Sequence, residues 1–528
     1  MNKRQRQAQK RITKPKASGY SDAGASITKR ALRNFIARSG STQLDIDMNN
    51  RTLRQRSRML YMAAPVATSA INTARTNIVG LGLTLQANVD FNVLGITQET
   101  AKEWNRKVEA EFALWAGKKQ NCDALGLNNF KEIQQLALKS WLLSGDVFLL
   151  VKRYDPTPLN PYSLRLHLIE ADRISTPMKY RGGNYILPTE GKADNGNLIH
   201  DGVEVNKNGQ VVAYYISDTY PQEYSEQPEN WRRVEAYGKM TGLPNIIHLK
   251  HDERPEQYRG VPYLTQVIEP LLQVRRYTES ELMAALIQSF FTAWIETETN
   301  PNELPMNETG SGNVATEVPA ASPDTDSTDE NEYDMGPGTV TVLKKDEKVV
   351  FGQPNIPTAG FETFVKTFCR LTGAALEIPY EVLLKEYNAS YSASRAALLE
   401  AWKAFFMYRE WFVNDACQPV YEIWLSEAIA RGRIKAPGFF DDPLVREAYF
   451  SARWIGPVQG QIDPTKECEA AVMQISHGIK THEQVTREMG GGDWFENVAQ
   501  LKRENELLRE AGAVPVQQVK GGNANEPD

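Results

Sequence analysis

YLTQVIEPLLQVRRYTESELMAALIQSFFTAWIE, residues 263–296, decides how the rest of the chain is read. Its apolar positions recur with a helical period, and a helix of that length extends roughly 50 Å, with Pro270 expected as a kink. A second helix is predicted over 361–376, ending before Pro379. Between the two, residues 296–335 hold eleven Asp and Glu and no Lys or Arg, interleaved with Pro, Gly, Ser and Thr. That composition reads as loop. TVTVLKKDEKVVFG, 339–352, then reads as a β-hairpin turning at Lys345-Asp346.

Toward the N-terminus, helical signals run over 52–78 with Pro65 as a break, followed by a strand ending at Ala87. Residues 102–115 and 130–143 are amphipathic and predict helices. From Asp146 the texture changes to short strands: DVFLLVKRY, SLRLHLIEADRIS, and GVEVNKNGQVVAYYISD with a hairpin signal at Asn208-Gly209. NIIHLKH, 245–251, is a further strand. Residues 50–262 therefore read as one α+β domain. Toward the C-terminus, a polar Asn/Ser/Tyr loop leads into the longest helical pattern, 393–431, which Pro419 should bend and Gly432 should stop. Helices are expected again at 466–479, at 482–489 and through ENVAQLKRENELLREAG, with an unstructured tail beyond.

The chain has 528 residues, 60 Lys and Arg against 66 Asp and Glu, and a formal charge of −6. Residues 1–60 carry fifteen basic residues and three acidic ones, a net of +12, which leaves −18 on the rest. The first forty residues read as a basic mobile arm, and the body lacks the basic face that tight duplex binding needs. No apolar run reaches the roughly 18 residues of a spanning helix, and no apolar stretch follows the basic start as a secretory signal requires. The expected setting is the cytoplasm of the producing cell, without a membrane. Cys122, Cys369, Cys417 and Cys468 form no CxxC pair and read as reduced thiols.

Motifs for catalysis are missing. No GxxxxGK[ST], GxSxG or HExxH occurs, which disfavours an ATPase motor and hydrolases of those kinds. His248 and His251 point to opposite faces while their strand lasts, so they do not make a metal pair. Asp441-Asp442 and Asp324 with Asp326 read as solvated loop carboxylates, and Gly490-Gly491-Gly492 as a helix C-terminal cap. The aromatic stripe on 393–431 reads as core or subunit contact. No cofactor, metal or catalytic residue is expected, and the chemistry points to a structural protein.

Six runs occur in an order that resembles the portal proteins of tailed bacteriophages, in particular the lambda family. They are RSRMLYMAAPVATSAINTARTNIVGLGL (56–83), LLSGDVFLLV (142–151), HLIEADRISTP (167–177), IIHLKHDERPEQYRGVPYLTQVIEPL (246–271), IPYEVLLKEYNASYSASRAALLEAWKAF (378–405) and WIGPVQGQIDPTKECEA (454–470). The resemblance implies an α+β portal fold: wing 41–262, first stem helix 263–296, clip 297–355 with an acidic loop insertion, second stem helix 356–379, tunnel loop 380–392, long wing helix 393–431, helical crown 432–511 and a disordered tail 512–528. It also implies a homo-oligomeric ring, typically of twelve subunits, at one capsid vertex of the virion. Double-stranded DNA would be packaged and ejected through it without sequence specificity. Implied partners are the terminase large subunit, major capsid and scaffold proteins, and head–tail connector or adaptor proteins.

On this reading Lys385, Tyr387, Asn388, Tyr391 and Ser392 face DNA in the tunnel loop. Lys344, Lys345, Asp346 and Lys348 dock terminase or adaptors at the clip. The acidic 296–335 stretch departs from an ordered clip and implies salt-sensitive docking to a basic partner. Two alternatives stand beside this one. One is another non-enzymatic virion component, such as a head–tail adaptor or a scaffold-associated protein. The other is a packaging ATPase or nuclease.

Overall fold

The computed structural model describes residues 40–181, 190–220, 230–290, 360–387, 390–460, 463–490 and 492–512, the backbone of 294–297 and 347–350, and a few positions before residue 36. Most of the basic arm, most of the acidic 296–335 stretch and the tail beyond 512 therefore lie outside the described residues. The chain is an α+β protein.

Helix α1, Asp47–Ala63, begins five residues earlier than its apolar pattern implies. Ala64 is extended, and Pro65 opens helix α2, Pro65–Ile78, at a position where its missing N–H costs nothing. Strand β1 is Thr84–Ala87, helix α3 is Gln98–Ala116 and helix α4 is Phe130–Ser144. Asn129 and Glu132 form a capping box at the start of α4.

Strands β2 (Asp146–Arg153) and β3 (Leu164–Glu170) follow, then β4 (Glu190–Lys192), β5 (Leu198–His200), β6 (Val203–Val205), β7 (Val211–Ser217), β8 (Trp231–Glu235) and β9 (Ile246–Lys250). They form an antiparallel three-stranded sheet, β3-β2-β9, and a five-stranded sheet in sequence order from β4 to β8. Phe148, Leu150, Ile169 and Ile246 pack one face of the smaller sheet against Val203, Tyr214 and Ile216 of the larger.

The first long helix, α5, is Ile268–Phe290, shorter at both ends than 263–296. Pro270 does not kink it, because it lies in the first turn, where backbone N–H groups have no intrahelical partner. After the helix, strand β10 (Trp294–Thr297) pairs antiparallel with β11 (Glu347–Val350). The expected hairpin thus has its 347–350 arm on a distant strand, and its other arm lies outside the described residues. Helix α6 is Phe361–Ala375, and a short helix α7 is Tyr380–Leu384.

The single bent helix expected over 393–431 is three pieces: α8 (Tyr391–Phe412), a π-helical turn at Val413–Cys417, and α9 (Gln418–Ala430). The wider turn directly before Pro419 accommodates a residue that would clash with a regular preceding turn. Gly432, at φ +70°, stops α9 as expected. Helix α10 is Pro443–Phe450 and strand β12 is Ala452–Ile455.

β12 pairs with β1, and α9 and α10 share one core with α3, α4 and β3, where Trp115 and Trp424 are fully buried. Residues 432–455, which the resemblance assigns to the crown, therefore pack into the same core as α3, α4 and β3. The strand pairing closes across more than 360 residues of sequence and has no local signal. Helices α11 (Pro464–Ser476), α12 (His482–Gly490) and α13 (Trp494–Glu510) follow, and neither α12 nor α13 buries a residue.

A buried ionic cluster joins these parts. Arg259, wholly buried, donates to Asp146 Oδ2 (2.6 Å), Asp201 Oδ2 (2.7 Å) and the carbonyls of Ala171 (2.8 Å) and Ile174 (2.9 Å). Arg54 on α1 bridges Asp172 (3.0 Å) and Asp201 (2.8 Å), and Arg58 also pairs with Asp172. Asp146 is held far below the usual carboxylate range by the Arg259 charge and its hydrogen bonds, against the opposing effect of burial. Removing one partner of such a pair strands the other, so Arg259→Leu is expected to cost about 3–5 kcal/mol in chemical denaturation.

Asp47 sits beside this cluster with one buried oxygen unpartnered. Burial, helped by Asp201, pushes its carboxyl up from 3.8 to about 7. The native state keeps this proton after the unfolded chain has lost it, so stability falls as pH rises from about 4 to about 7. Asp47→Asn removes that penalty. The variant should melt above the parent protein at about pH 8, and the gap should close near pH 5.

Candidate functional site

The segment 376–392 connects α6 to α8, and its conformation follows from local rules. Leu376 caps α6, and Ile378 N–H donates to Gly373 O at 2.9 Å, folding the chain back over the helix end. Gly373 allows this return, since a Cβ there would lie 2.4 Å from the Ile378 carbonyl. Helix α7 buries Val382 and Leu383 against the α2 and α8 core, and Ser69 Oγ donates to Leu383 O at 2.6 Å.

Lys385 ends α7 in the left-handed region, at φ +58°. Lys366 on α6 reaches Glu386 at 2.9 Å and Glu362 at 2.8 Å, which fixes the far side of the turn. Ser390 Oγ then accepts from Ala393 N–H and starts α8. A serine before an apolar run is a recognisable N-cap, and it marks the helix start ahead of the residues that had been assigned to a loop.

The expected loop is consequently shorter than 380–392. Its first five residues are α7, and Tyr391 and Ser392 belong to the first turn of α8. Lys385 lies on the remaining connection, Tyr387 there is half exposed, and Ser392 is exposed on the helix. Asn388 lies outside the described residues, as do Lys344, Lys345 and Asp346. Lys348 stands in β11, opposite Glu296 of β10. The structure thus brings Lys385, Tyr387 and Ser392 to one short segment. The charges around Lys385 are mixed: Glu381 and Glu386 flank it in sequence, and Lys366 pairs with Glu386.

The two long helices are tied together at the start of α5 and the end of α6. The Tyr263 hydroxyl, just before α5, donates to the carbonyl of Leu376, just after α6. Farther along, Tyr277 packs against Phe364 with ring centroids 4.5 Å apart. Elsewhere, His248 stacks on Phe148 at 4.1 Å and His251 on Trp411 at 4.0 Å, so the two histidines serve separate contacts. Among the described residues no group of three His, Cys, Asp or Glu is arranged to hold a metal, and no helix is long and apolar enough to cross a membrane.

The described residues thus form an α+β subunit in which two helices, α5 and α6, are joined at their roots and a short connection leads from α6 to the longer helix α8. The chain belongs to the lambda family of phage portal proteins, whose family profile it matches over residues 28–409. It is 27% identical to the portal protein of Escherichia phage N15, over 85% of this chain and 83% of that one. It is 26% identical to portal protein B of Escherichia phage lambda, over 85% and 82%. Among solved structures, a chain in the neck of a native gene transfer agent particle computed with C12 symmetry is similar at 13% identity and a TM-score of 0.40, covering 84% of this chain and 94% of that one. As a portal protein the chain is a structural component of a tailed-phage virion.

The left-handed turn at Lys385 makes a stability prediction. An L-residue there carries about 1–2 kcal/mol of strain that glycine escapes. Lys385→Gly is expected to hold or raise the melting temperature, and Lys385→Val to lower stability by about 1 kcal/mol or more.

Proposed function

We propose that this chain assembles into a ring, a dodecamer in the first instance, at one capsid vertex. The ring serves as the conduit through which double-stranded DNA enters and leaves. Assembly takes place in the host cytoplasm, on capsid and scaffold proteins. The clip end, including Lys348 and the neighbouring Lys344, Lys345 and Asp346, docks the terminase large subunit and later the head–tail connector proteins. The subunit itself is not an enzyme.

Family membership carries the reading, and the exposed apolar side chains of the single subunit support ring formation. Leu282 and Met283 on α5, Leu371 on α6, and Leu399 and Phe406 on α8 are all exposed. Such side chains on successive helices mark an association surface, and a head-to-tail repeat of one such contact closes a ring.

In the channel, Lys385, Tyr387, Asn388, Tyr391 and Ser392 touch the duplex. A polyanion must pass without being trapped, and a body carrying −18 beyond residue 60 gives little counterion-release affinity. One lysine flanked by glutamates makes transient phosphate contacts that carry no sequence information.

Native mass spectrometry with particle imaging at moderate salt tests the assembly. Twelve copies of 59.4 kDa weigh about 713 kDa, and the particle should show a central channel wide enough for a duplex. A neighbouring ring order would keep the function and change the stoichiometry. A stable monomer or dimer at every salt concentration would overturn the proposal.

A further inference from the structure

The space between the two sheets of the wing is apolar at one end and cationic at the other. Alternate residues of a strand share a face, so Lys152 follows Phe148 and Leu150 on the face of β2 that meets the larger sheet. On β3, His167 stands opposite Leu150 on the same face. From the larger sheet, Arg232 of β8 stands opposite Ile216 of β7, another residue of that shared core. Arg173, in the short turn after β3, anchors its Nε on the Ser217 carbonyl at 3.0 Å.

Lys152 and Arg232 make no ion pair among the described residues, and the His167 Nδ1 atom is buried without a partner. Carboxylates nearby are committed elsewhere. Asp123 accepts from the N–H groups of Leu125, Leu127 and Asn128 at 3.0, 2.8 and 3.0 Å, and Glu170 lies 4.0 Å from Arg58. Partial burial, Arg232 and Arg173 lower the Lys152 pKa, and burial with Lys152 and Arg173 pushes His167 down to about 4. Asp123 partly offsets this at His167, but Lys152 and Arg232 have no ion pair among the described residues, so the gathered cations favour an added anion.

The geometry points to a binding site for an acidic peptide at this mouth, with a carboxylate received by Lys152, His167, Arg173 and Arg232. Two features favour a peptide over a duplex. Lys152 and His167 are half-buried and lie on the strand face that meets the larger sheet, where a single extended chain reaches them more readily than the phosphates of a wide convex cylinder. β8 is also an edge strand of its sheet, so its outer backbone groups can pair with an extended segment whose alternate side chains enter the mouth.

The test uses the full-length protein and a fluorescent peptide with the sequence of residues 317–335 of this chain, which is rich in Asp and Glu. A 20-base-pair duplex serves as comparison, and binding is read by anisotropy. Expected results are saturable peptide binding, weakened at least fivefold by Lys152→Gln and by Arg232→Gln, retained in Lys152→Arg, and unchanged by Lys118→Gln on an exposed surface. Duplex affinity should not respond to the mouth variants. Three outcomes overturn the proposal: no saturable binding, peptide binding indifferent to both Gln variants, or duplex binding that falls by the same factor. A further arm replaces Glu223, Glu226 and Glu229, in the connection before β8, by Gln. Peptide binding that appears only in that variant would assign the mouth to the chain's own loop and equally overturn it.

Discussion

Arg259 is the residue on which the rest of the architecture leans. It occupies the connection between β9 and α5, and its guanidinium reaches the start of β2, the turn after β3 and the turn before β6. Both strand sheets and the launch of the first long helix are therefore referenced to one buried cation. The neighbouring backbone is equally constrained. Asn50 on α1 donates to Gly260 O at 2.9 Å, and Gly145, at φ +86°, would place a Cβ 2.5 Å from that carbonyl. Any side chain at either glycine would push β2 away from the stem connection. A cation with that many fixed acceptors contributes through geometry: its worth lies in the arrangement it imposes on four segments, since desolvation offsets much of the Coulomb attraction.

The roots of α5 and α6 are anchored next to this cluster. Tyr263 binds the carbonyl just after α6, and Leu264, Val267 and Leu271 are buried in the same core as Leu376, Ile378 and Leu383. The two helices are clasped at their roots by apolar packing and left apolar-surfaced farther out, where Leu282 and Met283 are exposed. In a monomer such surface is a liability. In the proposed ring it becomes the contact that neighbouring subunits cover.

How much of this was legible in the sequence depends on how local the cause is. The start of α4 is written in Asn129 and Glu132, the break at Ala64 in Pro65, and the end of α9 in Gly432, all within a few residues of their effect. Pro419 marks the irregularity in the 391–430 helical run, whereas Pro270 has a different consequence because it falls in the first turn of α5. The pairing of β1 with β12, the Arg259 cluster and the cationic mouth left no trace that composition or period could reveal. Each joins residues that meet only after the chain has folded. Of the candidate site, Lys385 and Tyr387 fall on the connection, whereas Tyr391 and Ser392 had been read past the Ser390 cap that places them on α8.

The same distinction governs the segment between α7 and α8. It is polar and short, which at the sequence level suggests a loose tether, yet both its ends are fixed. Ser69 donates to the Leu383 carbonyl in α7, Lys366 holds Glu386, and Ser390 starts a helix whose Trp402 and Phe405 are buried in the core. In the proposed channel, displacement of Lys385 or Tyr387 by a passing duplex would be transmitted to α7 and to the first turns of α8. The left-handed Lys385 fits such a role, because it reverses the chain within one residue and presents its side chain without lengthening the connection.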